Sequence, residues 1–176
     1  MDNIQASQTT LSKIERLKIA NQFRILEKIS EGDEAQQYAV RAEVFERGYT
    51  YLYDEVLEHF WEEMPQAVAQ EVIDILQLNR AITFSVQDLP ETERADLPER
   101  AKFEGFDGNN ESEHFSFATF LCEEMSRFNE LQIVNSHCPT LDRYRAQLKK
   151  WADLGKKQRL TKEQIEALLA AQRYWE

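Results

Sequence analysis

Residues 139–155 read PTLDRYRAQLKKWADLG. Leu141, Tyr144, Leu148 and Trp151 recur at three-four-three spacing, which places them on one face of a helix with 3.6 residues per turn. Pro139 stands where a helix opens, and Gly155 where one closes, because glycine alone takes a left-handed C-terminal conformation cheaply. Six residues on, Thr161 with Gln164 forms a capping-box pair, and Ile165, Leu168 and Leu169 continue a further helix toward the C-terminus.

Moving toward the N-terminus, the same period returns. A helix is predicted from about Glu111 to Leu131 with Phe117, Leu121, Met125 and Phe128 as its stripe. Another follows Pro65 to about Phe84, with Val68, Val72, Ile75, Asn79 and Ile82 on one face. Shorter helices are read over Tyr51–Trp61 and from Asp33, which pairs with Gln36 as a capping box, to Gly48; this one carries Tyr38, Ala42 and Phe45. The first helix, about Thr10 to Ser30, is different. Its apolar residues (Leu11, Ile14, Leu17, Ile19, Ala20, Phe23, Ile25, Leu26, Ile29) spread around the whole circumference at 100° per residue, where a surface helix would show one stripe. It is therefore expected either to be central to the fold or to be shared with another subunit. Residues 87–110, with Pro90, Pro98, Gly105 and Gly108, break the pattern and read as a long loop whose apolar end, Phe103–Asp107, docks on the core. The reading is an all-α array, compact and orthogonal or bundle-like, of six to eight helices: a flexible arm over 1–9 and a single helical domain over 10–176.

Composition agrees. The 176 residues are 42% hydrophobic and 30% charged, with five glycines and four prolines, too few turns for an all-β chain. The opening MDNIQASQTTLSK shows no basic and apolar leader, no apolar run approaches the roughly 20 residues of a membrane span, and Cys122 and Cys138 form no motif. A cytoplasmic location without membrane association is expected.

Taken together, Arg16-Leu17, Asn21-Gln22-Phe23, Glu46-Arg47-Gly48-Tyr49, Ile73-Asp74-Ile75-Leu76, Phe103 with Gly105-Phe106-Asp107, and Pro139, Tyr144, Leu148, Trp151, Leu160 and Ile165 resemble the YfbU family of bacterial proteins. The likeness spans nearly all of the chain after the arm. It implies an all-helical fold and no established activity. Some members carry an added helix-turn-helix, not read in this chain, which suggests that the shared domain binds a ligand.

Chemistry-bearing motifs are scarce. Glu111 and His114 are spaced as Glu-x-x-His, one half of a di-iron element, but the second half is missing. Asp107, Asn109 and Glu111 open like a calcium loop, yet Ser112 holds the glycine position and Ala118 the last ligand position. P-loop, dinucleotide and nucleophile-elbow signatures are absent. No metal and no cofactor is expected. The polar residues carried by the resemblance, namely Arg16, Asn21, Gln22, Glu46, Arg47, Tyr49, Asp74 and Asp107, lie among apolar positions. They are candidates either for a ligand pocket or for buried structural networks. From Arg143 to Lys162 eight bases meet one acid, a charge of +7 on a chain of −11, so the remaining residues carry −18. That segment is expected to face an acidic surface of its own chain or of another subunit rather than nucleic acid.

The function expected is therefore that of a self-associating, non-enzymatic protein that binds a small ligand or a protein partner. The alternatives are an enzyme acting through arginine and carboxylates, or a nucleic-acid-associated regulator using 143–162.

Overall fold

The computed structural model describes residues 10–97 and 101–171; the arm expected over 1–9 lies outside them. Eight α-helices and no strand ladder occur among the described residues: α1 Lys13–Ile29, α2 Gly32–Arg47, α3 Tyr53–Leu57, α4 Gln66–Asp88, α5 Glu91–Ala95, α6 Ser112–Thr119, α7 Leu141–Asp153 and α8 Lys162–Ala170. The fold is all-α, as its periodicity indicates. The described helices fall into two compact units that meet in sequence at Glu63 and Met64.

In the first unit, Ser12 and Glu15 close a reciprocal capping box that starts α1. The box expected at Asp33 and Gln36 does not form. Gly32, at a φ of 60°, already begins α2, Glu31 is its N-cap, and Asp33 sits inside the first turn, where its charge faces the helix dipole. Gly48 ends α2 in the left-handed conformation, φ 73°, as expected. Phe45 is fully buried between Phe23, with centroids 5.9 Å apart, and Tyr53, at 4.9 Å. A 3-10 turn, Thr50–Leu52, leads into α3, which stops at Leu57, so the helix expected to reach Trp61 is shorter and Phe60 and Trp61 are exposed.

The first helix is not central to this chain's fold. Only Ala20 of α1 is buried; Ile14, Leu17, Ile25 and Ile29 remain exposed. The helix covered on more than one side is α4. Val72, Ile75 and Leu76 enter a cluster with Phe106, Leu121 and Tyr144, whereas Leu78, Ala81 and Ile82 enter another with Trp151, Ile165 and Leu168. Pro65 is its N-cap rather than its first helical residue.

Two further elements depart from expectation. The loop over 87–110 is shortened, because α4 continues to Asp88 and α5 follows; its end docks as predicted, with Phe106 and Asp107 buried and Phe106 bridged to Asn135. The helix expected to run to Leu131 ends at Glu124: α6 passes into a π-helical turn, Phe120–Glu124, and the chain then bends at Ser126 and Phe128, both at φ 53°. That bend puts Phe128 back in the core beneath the Arg80 guanidinium, 4.2 Å from the ring centre, and leaves Met125 exposed. Helix α7 carries the expected face, and Gln147 is buried with it. Thr161 and Gln164 cap α8 by the expected box.

Candidate functional site

Where α1 and α2 pack, the first unit holds a groove of about 440 Å³. From α1 it receives Lys13, Arg16, Leu17, Ala20 and Asn21; from α2, Phe45 and Glu46. Local sequence explains the arrangement. Ala20 is small enough to let the helices approach, and residues three and four apart on α1 bring Lys13, Arg16, Leu17 and Ala20 to one side. Arg16 Nη1 donates to the Phe45 carbonyl, 3.2 Å away, which satisfies one of the orphan acceptors at the end of α2. Its guanidinium lies over Gly48, where a Cβ would overlap it. The Tyr53 hydroxyl, 3.8 Å from that same point, is fully buried and has no hydrogen-bond partner among the described residues.

Charge in the groove is uneven. Arg24 takes both oxygens of Glu46, at 2.9 and 2.7 Å, and also reaches Glu27 at 3.0 Å. The hydrogen bond from Arg24 holds the Glu46 carboxyl below its usual range, and Glu46, followed by Glu27, pushes Arg24 above its own. Glu46 is thus already neutralised across the α1–α2 contact. Neither Lys13 nor Arg16 meets a carboxylate among the described residues.

A YfbU domain model matches residues 9–171. The chain belongs to the YfbU family. It is 36% identical over 171 residues, covering 92% of this chain and 99% of the relative, to "UPF0304 protein MJECS11" of Methanocaldococcus jannaschii. That relative is archaeal, so the YfbU family is not confined to bacteria.

Of the eight polar positions that carried the resemblance to YfbU, the groove gathers three: Arg16, Asn21 and Glu46. Gln22 is exposed beside it. Arg47 turns outward to Glu43, 2.6 Å, and to the Tyr49 hydroxyl, 3.5 Å. Asp74 and Asp107 belong to the second unit. Asp74 accepts from Gln70 at 3.0 Å and faces Lys156 at 3.5 Å. Asp107 is buried and closes a turn, accepting from the Asn110 side chain at 2.6 Å and the Asn109 backbone at 2.9 Å; these bonds lower its carboxyl. Lys13, Leu17 and Phe45 complete the groove; the sequence marks Leu17 and Phe45 only as apolar helix residues and does not mark Lys13.

The YfbU second unit is organised by a buried carboxylate that spacing placed in half a metal motif. Glu111 accepts from the backbone of Asp107 (2.9 Å), Thr140 (2.6 Å) and Leu141 (2.8 Å) and from the Thr140 hydroxyl (2.8 Å). Burial pushes its carboxyl up, but the four bonds outweigh burial and hold it below the ordinary value of 4.5. One oxygen caps α7 at the Thr140 and Leu141 amides, and the other takes the Asp107 amide and the Thr140 hydroxyl. His114 Nε2 lies 3.0 Å from Glu71, which Arg145 holds at 2.8 and 3.0 Å; Arg145, then His114, keep the Glu71 carboxyl low. Among the described residues no group of three His, Cys, Asp or Glu is placed to hold a metal ion, and no helix is long and apolar enough to cross a membrane.

The basic segment also finds partners within its own unit. Arg143 pairs with Glu104 at 2.9 Å, Arg145 with Glu71, Lys156 with Asp74, Arg159 with Asp88 at 2.7 Å and Lys162 with Asp96 at 2.9 Å.

Proposed function

We propose that this YfbU protein works by associating with a second copy of itself through the outer face of α1, as a non-enzymatic cytoplasmic protein that offers the assembled surface to a ligand or protein partner. One observation carries the reading. At about 100° per residue, Ile14, Leu17, Ile25 and Ile29 fall within an arc of roughly 120°. Ile19, Ala20, Phe23 and Leu26 occupy the opposite side, and the first three pack in the core of the first unit. Helix α1 therefore has two opposed apolar faces, and the chain covers one. The outer four are 67%, 59%, 61% and 73% exposed. Burying an Ile or Leu fully is worth about 1.5–3 kcal/mol, so roughly 4–8 kcal/mol per chain is left unused in this stripe.

A second copy suits the stripe because Asn21 sits at its middle. An amide carries both donors and an acceptor, so Asn21 can pair with its own counterpart across a two-fold axis and set the register. Two free cysteines, Cys122 and Cys138, support a reducing compartment. The pairing of five bases of the 143–162 segment with acids of the same unit supports ranking nucleic acid low.

The test is light scattering on the wild-type chain and on Ile25→Glu and Leu17→Glu. The wild type should scatter as twice the chain mass or more at micromolar concentration. Each variant should scatter as one chain with unchanged helical circular dichroism. Variants that keep the wild-type mass would sink the proposal.

A further inference from the structure

We propose that the α1–α2 groove binds a small organic anion, a carboxylate or phosphate group carried on a short apolar body. The anionic end follows from charge. Lys13 and Arg16 bring two cations to the groove, neither meets a carboxylate among the described residues, and the one acid on its wall, Glu46, is already held by both arms of Arg24. A guanidinium has five N–H donors in a planar fork. Arg16 spends one on the Phe45 carbonyl. The remaining edge matches two oxygens of a carboxylate or phosphate.

The Tyr53 hydroxyl supplies an independent sign. It is the one side-chain polar atom of this unit that is buried without a hydrogen-bond partner among the described residues, and, like the Arg16 guanidinium, it lies against the Cβ position of Gly48, just behind the residues that line the groove. A buried hydroxyl left without a partner is costly, and an anion oxygen held by Arg16 is an acceptor within its neighbourhood. The apolar body follows from Leu17 and Ala20 on the α1 wall, opposite the Phe45 carbonyl end of α2. At about 440 Å³ the groove is of the size that small ligands occupy.

The experiment is an amide-resolved NMR titration of the full chain at constant ionic strength with phenylacetate, phenyl phosphate and, as the neutral match, phenylacetamide. At least one anion should bind saturably, with shifts confined to the backbone around Lys13–Asn21 and Phe45–Gly48, while the amide does not saturate. Which of the two anions binds tighter distinguishes a carboxylate from a phosphate site. Arg16→Gln should weaken that anion at least about tenfold, a loss of about 1.4 kcal/mol. Because Arg16 also holds the end of α2, Lys13→Gln and Tyr53→Phe are measured beside it, and each should weaken binding several-fold in a chain with a native spectrum. Equal binding of the amide, shifts centred elsewhere, unchanged affinity in any of the three variants, or no saturation by either anion would overturn the assignment. Leu17 and Asn21 belong both to the groove and to the outer arc of α1, whereas Lys13, Arg16 and Tyr53 do not, so variants at these three keep the wild-type oligomeric mass; the titration is repeated on Ile25→Glu, which leaves the groove residues intact, and the two proposals fail separately.

Discussion

Replacing Glu111 by glutamine removes one charge and turns one oxygen into a donor. In the native chain Oε1 accepts the Thr140 and Leu141 amides, and Oε2 accepts the Asp107 amide and the Thr140 hydroxyl. The amide nitrogen of glutamine is least harmful at the second position. There the Thr140 hydroxyl can turn to the Gly105 carbonyl, 3.1 Å away, and accept from the new NH2. The buried Asp107 N–H has no such escape and loses its acceptor. An orphaned buried donor costs about 1–3 kcal/mol, and the surviving bonds lose their charge assistance at the N-terminus of α7, so the sum is about 2–4 kcal/mol. With a urea slope of about 2 kcal/mol per molar for a chain of this size, the midpoint should fall by about 1–2 M. Urea unfolding at neutral pH, followed by the fluorescence of the fully buried Trp151 in the same unit, measures it. The folded carboxyl sits below its ordinary 4.5, so its contribution is complete above that pH and fades as pH falls through the lowered folded value. The gap between wild type and variant should therefore narrow in acid. A gap under about 0.5 kcal/mol at neutral pH, or one that widens in acid, would refute the idea that Glu111 ties the 103–111 segment to α7.

Other perturbations separate the remaining claims. Gly105→Ala places a Cβ against the Val134 carbonyl at a φ of 77° and should cost more than about 3 kcal/mol by thermal or urea unfolding, whereas Gly155→Ala, also at positive φ but in open space, should cost about 1 kcal/mol. Alkylation of the folded chain near neutral pH should label the exposed Cys138 and spare Cys122, whose thiol burial pushes up to about 11; equal labelling read by mass spectrometry would contradict the packing around α6. In a gel-shift assay at physiological salt the chain should bind neither duplex nor single-stranded nucleic acid, and tight binding that falls steeply with salt would restore the 143–162 segment as a phosphate contact surface.

How far the fold could be read from sequence depended on how local its causes are. Helix α7 was legible because its stripe, Pro139 just before its N-cap and Gly155 just past its end all lie within one short stretch, and the Thr161–Gln164 box needs only four residues. The stretch after Glu124 was not. Phe128 continues the helical spacing of Leu121 but reaches the core by a backbone bend at positive φ, which spacing alone does not distinguish from one more helical turn. Asp33 looked like a cap because nothing local showed that Gly32 would already have turned the chain. For the groove, Arg16, Asn21 and Glu46 stood out as polar residues among apolar ones. Phe45 did not, because its contact with Arg16 joins positions 29 apart and is set by how the two helices pack. The circumferential apolar pattern of α1 was real; one of its two faces is simply left uncovered within a single chain.

That uncovered face is the centre of the functional account, and sedimentation equilibrium of the unmodified chain tests it most directly. From nanomolar to high micromolar concentration the account predicts a reversible rise from one chain mass to two or more, with the midpoint moved far upward by Ile25→Glu. A single-chain mass across the whole range would contradict it.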